Sequence, residues 1–324
     1  MKNTLIHHVS VINRDIQKSF HFYHNTLGLN LLLKTVNQDD NEMYHTFFGD
    51  TAGRPGTEFT VFEMKNGVDH KFGTNAIDRT VFLVPSEESL LFWEKRLNSL
   101  GIFNCEIESY NNSKILRFED FDGVQLGFMP LTEKQTTHYL PRVTDEISGE
   151  NAILGIHSIH LRVRYLEATK QLFKKFFDWT LLTKLTTEPT PIAILGNHNE
   201  LFYQEVHLIE DKKSPLEVMG IGGTHHVAFS AKDEHELQEI QEEISLKNFL
   251  NSGIKNREFF KSLYFREANG ILIEVATLDT HFVKENYEGL DLDQVPLYLP
   301  TFLAPKRSAI EASLASSHPQ SESR

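Results

Sequence analysis

Four short runs in the chain alternate apolar and polar residues in the manner of a β-strand with one buried face. They are Leu5–Val11, Arg79–Val84, Ile156–Leu161 and Thr224–Phe229. They recur roughly every 70 to 75 residues, a spacing too long for a solenoid repeat and suited to a small mixed module. A stretch with helical spacing follows each run. Ile16, Phe20, Tyr23 and Leu27 form the first stripe, and Gly28 can supply a left-handed cap. Leu90, Trp93, Leu97 and Leu100 form the second, with Ser86 placed to cap its start and Gly101 its end. Leu172, Phe173, Phe176 and Phe177 mark the third, and Leu237, Ile240 and Ile244 the fourth. Further β-like runs complete each unit. The last are Gly56–Phe62, Gly123–Phe128, Glu200–Val206 (the least regular) and Gly270–Val275.

The pattern predicts an α+β protein of four βαβββ modules in two domains. Residues 1–130 would form an N-terminal domain of modules one and two. Residues 156–278 would form a C-terminal domain of modules three and four. Residues 131–155 lack periodicity, carry Pro141, and read as an interdomain linker. Residues 279–324 form an extension with Pro296, Pro300 and Pro305, a short helix from about Pro305 to Leu314, and a Ser-rich tail from Ser316 expected to be disordered.

Laying the modules over one another separates chemistry from scaffold. The position of His8 is Thr80 in module two, Ser158 in module three and His226 in module four. The position of Glu274 in the last strand is Thr60 in module one and Gly127 in module two. Metal-binding residue types therefore survive only in modules one and four. Strand alternation puts Val9 and Val11 against the helix and His8 and Ser10 on the open face; in module four, Val227 and Phe229 pack while His226 faces the opening. The same alternation sends His7 and His225 to the opposite side, from which they would have to reach the site from beside it. His8, His226 and Glu274, with Thr60 where a fourth ligand could stand, make a two-His, one-carboxylate facial triad. That set suits Fe(II) with open positions, and it also accepts Mn(II). His21, His24, His45 and His70 have no ligand partner at repeat-related positions and are discounted, and His157 and His160, in the ligand-poor third module, are read as structural. His198 and Glu205 could mimic a second site, but Ser158 stands at its first-strand ligand position, so no second metal is expected.

Composition narrows the function. The net charge of −13 and the lack of a basic stripe argue against nucleic acid. No run of roughly 18 apolar residues or signal peptide is visible, so no membrane is expected. Cys105 is alone, which excludes an intrachain disulfide and makes a cytoplasmic location the default. The 24 Phe supply aromatic cores, or a pocket for flat aromatic ligands.

Two stretches carry a family resemblance. One is Lys34-Thr35-Val36-Asn37-Gln38-Asp39-Asp40, running into Tyr44-His45, Phe48-Gly49-Asp50 and Gly53-Arg54-Pro55-Gly56-Thr57. The other is Asn256-Arg257 through Lys261–Glu267 to Asn269–Glu274. With these, the chain resembles the vicinal oxygen chelate superfamily of glyoxalases, bleomycin-resistance proteins and extradiol dioxygenases. Within it, the chain is most similar to the ring-cleaving dioxygenases for hydroquinones. The resemblance implies the vicinal oxygen chelate fold, with His8, His226 and Glu274 as metal ligands. It also implies His7, Ser10, His225, Arg257 and Tyr264 as catalytic groups around the substrate, His225 as a base for the ring hydroxyl. The implied partners are a small aromatic substrate and O2; a homo-oligomer is compatible with the sequence. The rivals are a catechol extradiol dioxygenase, a glyoxalase-like lyase or isomerase, and a protein that binds aromatics without chemistry.

Overall fold

The structure, a computed structural model, describes residues 4–131, 138–186, 190–197, 201–279 and 285–317. Module one comprises β1 (Ile6–Asn13), α1 (Ile16–Phe20, continued by a π-helical turn over His21–Thr26), β2 (Asn30–Val36), β3 (Tyr44–Gly49) and β4 (Glu58–Glu63). Module two comprises β5 (Ala76–Val84), α2 (Glu87–Ser99), β6 (Glu106–Tyr110), β7 (Ser113–Glu119) and β8 (Gln125–Pro130). Module three comprises β9 (Gly155–Val163), α3 (Leu166–Phe177), β10 (Thr180–Leu185), β11 (Ile192–Gly196) and β12 (Glu205–Glu210). Module four comprises β13 (Thr224–Ala231), α4 (Glu234–Leu246), β14 (Asn251–Asn256), β15 (Lys261–Arg266) and β16 (Leu272–Thr277). The four-module α+β reading is what the chain forms. Its capping signals act as expected: Ser86 accepts from the Ser89 amide, and Gly28 adopts φ +77° in the left-handed region. A Cβ on Gly28 would also stand 2.7 Å from Ile147 Cδ1.

The third module's last strand is β12, beginning at Glu205, later than the run expected over Glu200–Val206. Val206 and Leu208 are the residues that pack inward.

The hydrogen bonding does not follow the halves of the chain. One eight-stranded sheet has the order β14-β15-β16-β13-β1-β4-β3-β2, so module one pairs with module four. The other has the order β10-β11-β12-β9-β5-β8-β7-β6, so module two pairs with module three. Both sheets thus cross the boundary between residues 1–130 and residues 156–278. The seams are the antiparallel pairs β1–β13 and β5–β9, joining first strands far apart in sequence. No local pattern encodes which first strands meet.

The helix-facing sides of both sheets share one continuous core. Phe59 of β4 meets Phe82 of β5 at 5.4 Å between ring centroids, and Phe229 of β13 packs among Phe173, Phe177 and Trp179 of module three. The expected linker contributes to this core: Ile147, Ala152, Ile153 and Leu154 are buried, and the Asn151 carbonyl accepts from Trp93 Nε1 at 2.8 Å. Its apolar residues are too closely grouped to remain in solvent. The extension folds back as well. Lys34 Nζ donates to the Leu292 and Val295 carbonyls, and Leu299, Leu303, Ile310 and Leu314 pack on Val36. Its helix, α5 (Arg307–Ser317), includes Ser316, which the sequence placed in the tail. The residues beyond 317, His198 and the linker residues 132–137 lie outside the described residues. Among the described residues, no helix is long and apolar enough to cross a membrane.

One buried carboxyl ties modules one and two together. Asp120 accepts from Asn13 Nδ2 at 2.6 Å, Tyr23 Oη at 2.7 Å and the Val124 amide at 2.8 Å. Burial pushes its pKa up to about 6 against the pull of these donors. Tyr23→Phe removes one donor and should cost about 1 to 3 kcal/mol at neutral pH. A carboxyl with a raised folded pKa favours folding most when protonated, and that contribution fades as pH rises through the folded value. The Tyr23→Phe deficit, read from urea midpoints, should therefore shrink as pH falls below about 6.

Candidate metal centre

The seam between β1 and β13 brings the expected triad together. His8 Nε2 lies 3.3 Å from His226 Nε2 and 3.2 Å from Glu274 Oε2, and His226 Nε2 lies 2.9 Å from Glu274 Oε2. All three side chains are buried. Ligands at about 2.1 Å from an ion and about 90° apart stand about 3.0 Å from one another, and the observed edges bracket that spacing. Glu274 Oε2 has no hydrogen-bond partner despite these contacts. Three buried lone pairs converging on one point fit a cation. Burial pushes the Glu274 carboxyl up, but His8 and His226 outweigh it and hold the pKa well below the usual carboxylate range. Glu274 Oε1 accepts from the Ser262 hydroxyl at 2.5 Å, which fixes its orientation.

Backbone register corrects one position of the module overlay. Ser10 pairs with Thr60, Ala228 with Glu274, Val81 with Gly127, and His160 with His207. The residue two before each first-strand member is the His8 equivalent: His8, His226, Arg79 and Ser158. Module two therefore offers Arg79 there, not Thr80. Thr80 sits at the centre of the β5–β9 seam, in the alternation with Phe82 and Val84 that faces the core.

The same register explains His7 and His225, which strict alternation sent to the far face. Between Ile6 and His8, and again between His226 and Thr224, the β1–β13 ladder skips one residue. His7 and His225 are the extra residues of two bulges, and a bulge re-aims the side chain it inserts. Each now backs one of the triad histidines. His7 Nδ1 lies 3.0 Å from His8 Nδ1, and His225 Nδ1 lies 2.7 Å from His226 Nδ1. If His8 and His226 bind an ion through Nε2, each carries its proton on Nδ1, and His7 and His225 then accept through Nδ1 and carry their own protons on Nε2. His7 Nε2 accordingly points at the Thr277 carbonyl, 3.3 Å away. Burial lowers both pKa values to about 3, which keeps the two rings neutral. With that tautomer, His225 has no lone pair left over for the base role expected of it.

A cavity of about 380 Å³ opens over the triad. Phe47, Phe62, Phe259 and Phe260 supply apolar wall. Tyr264, paired in register with Glu274, and Arg257 stand at one side. Arg257 Nε donates to Tyr264 Oη at 3.2 Å, and Nη2 donates to Asp39 at 2.7 Å. The ion pair thus reaches from module four to the loop after β2, and not to the adjacent Glu258, whose carboxylate accepts from Thr301. Burial and the nearby Glu274 raise the Tyr264 pKa, so the phenol stays protonated.

Other histidines sort as follows. His24 Nδ1 bonds the Leu29 carbonyl and His70 Nε2 meets Glu217, both structural. His45, also set aside by the repeat argument, instead lines the cavity, with Nε2 2.9 Å from Thr60 Oγ1. It lies on β3, a strand the overlay did not compare, and the signal available was its place within the family-like stretch. In the other sheet His160 stacks on His207, whose Nδ1 is 2.7 Å from Tyr110 Oη and whose Nε2 is 2.5 Å from Glu205. Among the described residues, the groups with ligand atoms close enough for an ion are His8–His226–Glu274 and His7–His8–Glu58. The second shares His8, whose Nδ1 is already turned to His7.

Residues 5–128 match the Glyoxalase/Bleomycin resistance protein/Dioxygenase superfamily. The chain is 37% identical to "Putative ring-cleaving dioxygenase MhqA" of Bacillus subtilis, across 97% of this chain and 99% of the relative. It is 26% identical to the "Chlorohydroquinone/hydroquinone 1,2-dioxygenase" of Sphingobium indicum, across 84% of each. The crystal structure of a "putative dioxygenase" from Bacillus subtilis superimposes with a TM-score of 0.85 at 26% identity, covering 97% of both chains. Glyoxalase I from Zea mays shares the fold, with a TM-score of 0.63 at 16% identity over 85% of this chain and 92% of that one.

Proposed function

Because the chain belongs to the Glyoxalase/Bleomycin resistance protein/Dioxygenase superfamily, among its ring-cleaving dioxygenases, we propose that it opens the ring of hydroquinones with O2 at an Fe(II) held by His8, His226 and Glu274. The observation that carries this reading is the triangle of three converging lone pairs, with edges of 2.9–3.3 Å, at the floor of an aromatic-walled cavity. Bound iron would supply electron transfer between an electron-rich ring and O2, which no side chain supplies; Mn(II) accepts the same ligands.

The chain's own residues do the rest. His7 and His225 orient the two ligand imidazoles through Nδ1. The Ser10 hydroxyl, 3.0 Å from His226 Nε2, stands where a ring hydroxyl would arrive. Tyr264 and Arg257 direct an O–H and N–H groups to the same side of the cavity, suited to steadying negative charge on oxygen. The phenylalanine walls exclude water and take the flat face of the ring. A role in clearing quinones and hydroquinones in the cytoplasm goes with this reading.

Anaerobic reconstitution with Fe(II), followed by O2 uptake with methylhydroquinone, catechol and a hemithioacetal, tests it. Uptake with the hydroquinone alone is expected. Uptake with catechol alone would favour an extradiol enzyme, and none with any would favour a lyase or a binding protein. Arg257→Lys keeps the charge but loses the fork that spans Asp39 and Tyr264. It should lower kcat/KM by about 100- to 1,000-fold, the range for losing a donor aimed at developing negative charge. Asp39→Asn should change stability by less than about 1 kcal/mol, because its carboxylate is largely exposed.

A further inference from the structure

His45 falls outside the repeat logic, yet two hydroxyls join it to the metal cluster. Its Nε2 lies 2.9 Å from Thr60 Oγ1, Thr60 Oγ1 lies 2.7 Å from Ser10 Oγ, and Ser10 Oγ lies 3.0 Å from His226 Nε2. The imidazole is held between Phe47 and Phe62, with centroids 4.2 and 4.1 Å away. We propose that His45 is the terminal acceptor of a proton relay, through Thr60 and Ser10, that removes the proton of the substrate's ring hydroxyl. The proposal deepens the hydroquinone reading and rests on it.

The polarity of the chain follows from the ligand role of His226. With His226 Nε2 committed to an ion, the Ser10 hydroxyl has Thr60 Oγ1 as its acceptor, and the Thr60 hydroxyl has His45 Nε2. Ser10 Oγ then offers a lone pair to an arriving ring hydroxyl. The substrate O–H breaks as its proton passes to Ser10 Oγ, Ser10 gives its own proton to Thr60, and Thr60 gives its own to His45 Nε2. One O–H bond is exchanged for one N–H bond, the electron pair stays on the phenolate oxygen, and nothing is oxidised or reduced.

The neighbouring candidates are already engaged. The Nδ1 lone pairs of His7 and His225 face the N–H groups of His8 and His226, and Tyr264 Oη receives Arg257. Burial, together with His226 and His8, lowers the His45 pKa, which leaves its lone pair free before the substrate arrives and opposes its protonation until a phenolate stands nearby. The other charged groups acting on it are Glu274 and Arg257. Thr60, at the module-one equivalent of Glu274, thereby has a use of its own: it wires His45 to the site where a fourth ligand would otherwise stand.

The test uses His45→Gln, which can still accept from Thr60 but cannot take up a proton, and Thr60→Val, which keeps the shape and breaks the chain. Each is loaded with Fe(II) without O2, and the bound hydroquinone is read by its ultraviolet spectrum as phenol or phenolate. Both variants should hold iron like the wild type and bind the substrate mainly as phenol. Their kcat should fall about 100- to 10,000-fold with KM little changed, the range for a lost general base. The double variant should be no slower than the slower single one, and imidazole should restore part of the activity of His45→Ala. An unchanged phenolate fraction in both single variants, effects that multiply, or iron lost from both would overturn the relay. Wild-type protein that consumes no O2 with any hydroquinone would instead overturn the ring-cleavage reading itself.

Discussion

Glu274→Ala should purify without stoichiometric iron and consume no O2 with hydroquinone, the largest effect expected of any single substitution in this chain. The carboxylate is one of three atoms within 3.3 Å of one another that converge on one point, and the only anion among them. Outer partners of a metal site cost about 10- to 100-fold when removed, and a direct ligand should cost more. Elemental analysis after dialysis against Fe(II) or Mn(II) gives the direct reading. The same geometry predicts the behaviour of the native protein stripped with a chelator. Its three converging lone pairs then have no cation between them, so it should unfold at lower urea. Restoring metal at about 1,000 times its dissociation constant should return about 4 kcal/mol. A Glu274→Ala protein that keeps a full equivalent of iron, or native protein whose urea midpoint ignores metal, would refute the assignment of the site.

Phe229→Ala should be the most damaging change away from the metal, at about 3 to 5 kcal/mol. The ring stacks on Phe177 at 4.9 Å, meets Phe173 edge-on at 5.0 Å and Trp179 at 5.9 Å, and is fully buried. These neighbours are large aromatic residues of module three, and they cannot collapse readily into the space left. Phe229 also lies three residues beyond His226 on β13, so a cavity there loosens the strand that carries a ligand. Phe229→Leu, which keeps most of the volume, should cost clearly less. Urea midpoints of the metal-free proteins separate this loss from any change in metal affinity, and equal midpoints for Phe229→Ala and native protein would contradict the shared core.

Residues with local signatures were legible in the chain itself. The strand–helix–strands repeat, the Ser86 cap and Gly28 turn, and the inward set Val9, Val11, Val227 and Phe229 all follow from side-chain period and backbone sterics, which act over a few residues. The choice of His8 and His226 over His7 and His225 rested on the same alternation. The expectation that modules one and four hold the chemistry rested instead on laying the four modules over one another.

Tertiary structure decided what depends on partners distant in sequence. Which first strands pair across the seams is set by the whole core, and it joined module one to module four. The bulges at His7 and His225 exist only in the β1–β13 ladder, because a bulge is a mismatch between two strands and neither strand encodes it alone. That mismatch turned both residues inward behind His8 and His226. The Arg257–Asp39 pair and the His45–Thr60–Ser10 chain likewise arise where loops and strands from separate parts of the sequence converge. A periodic pattern reports which face a residue takes on its own strand; what that residue then touches is fixed only when the other strand arrives.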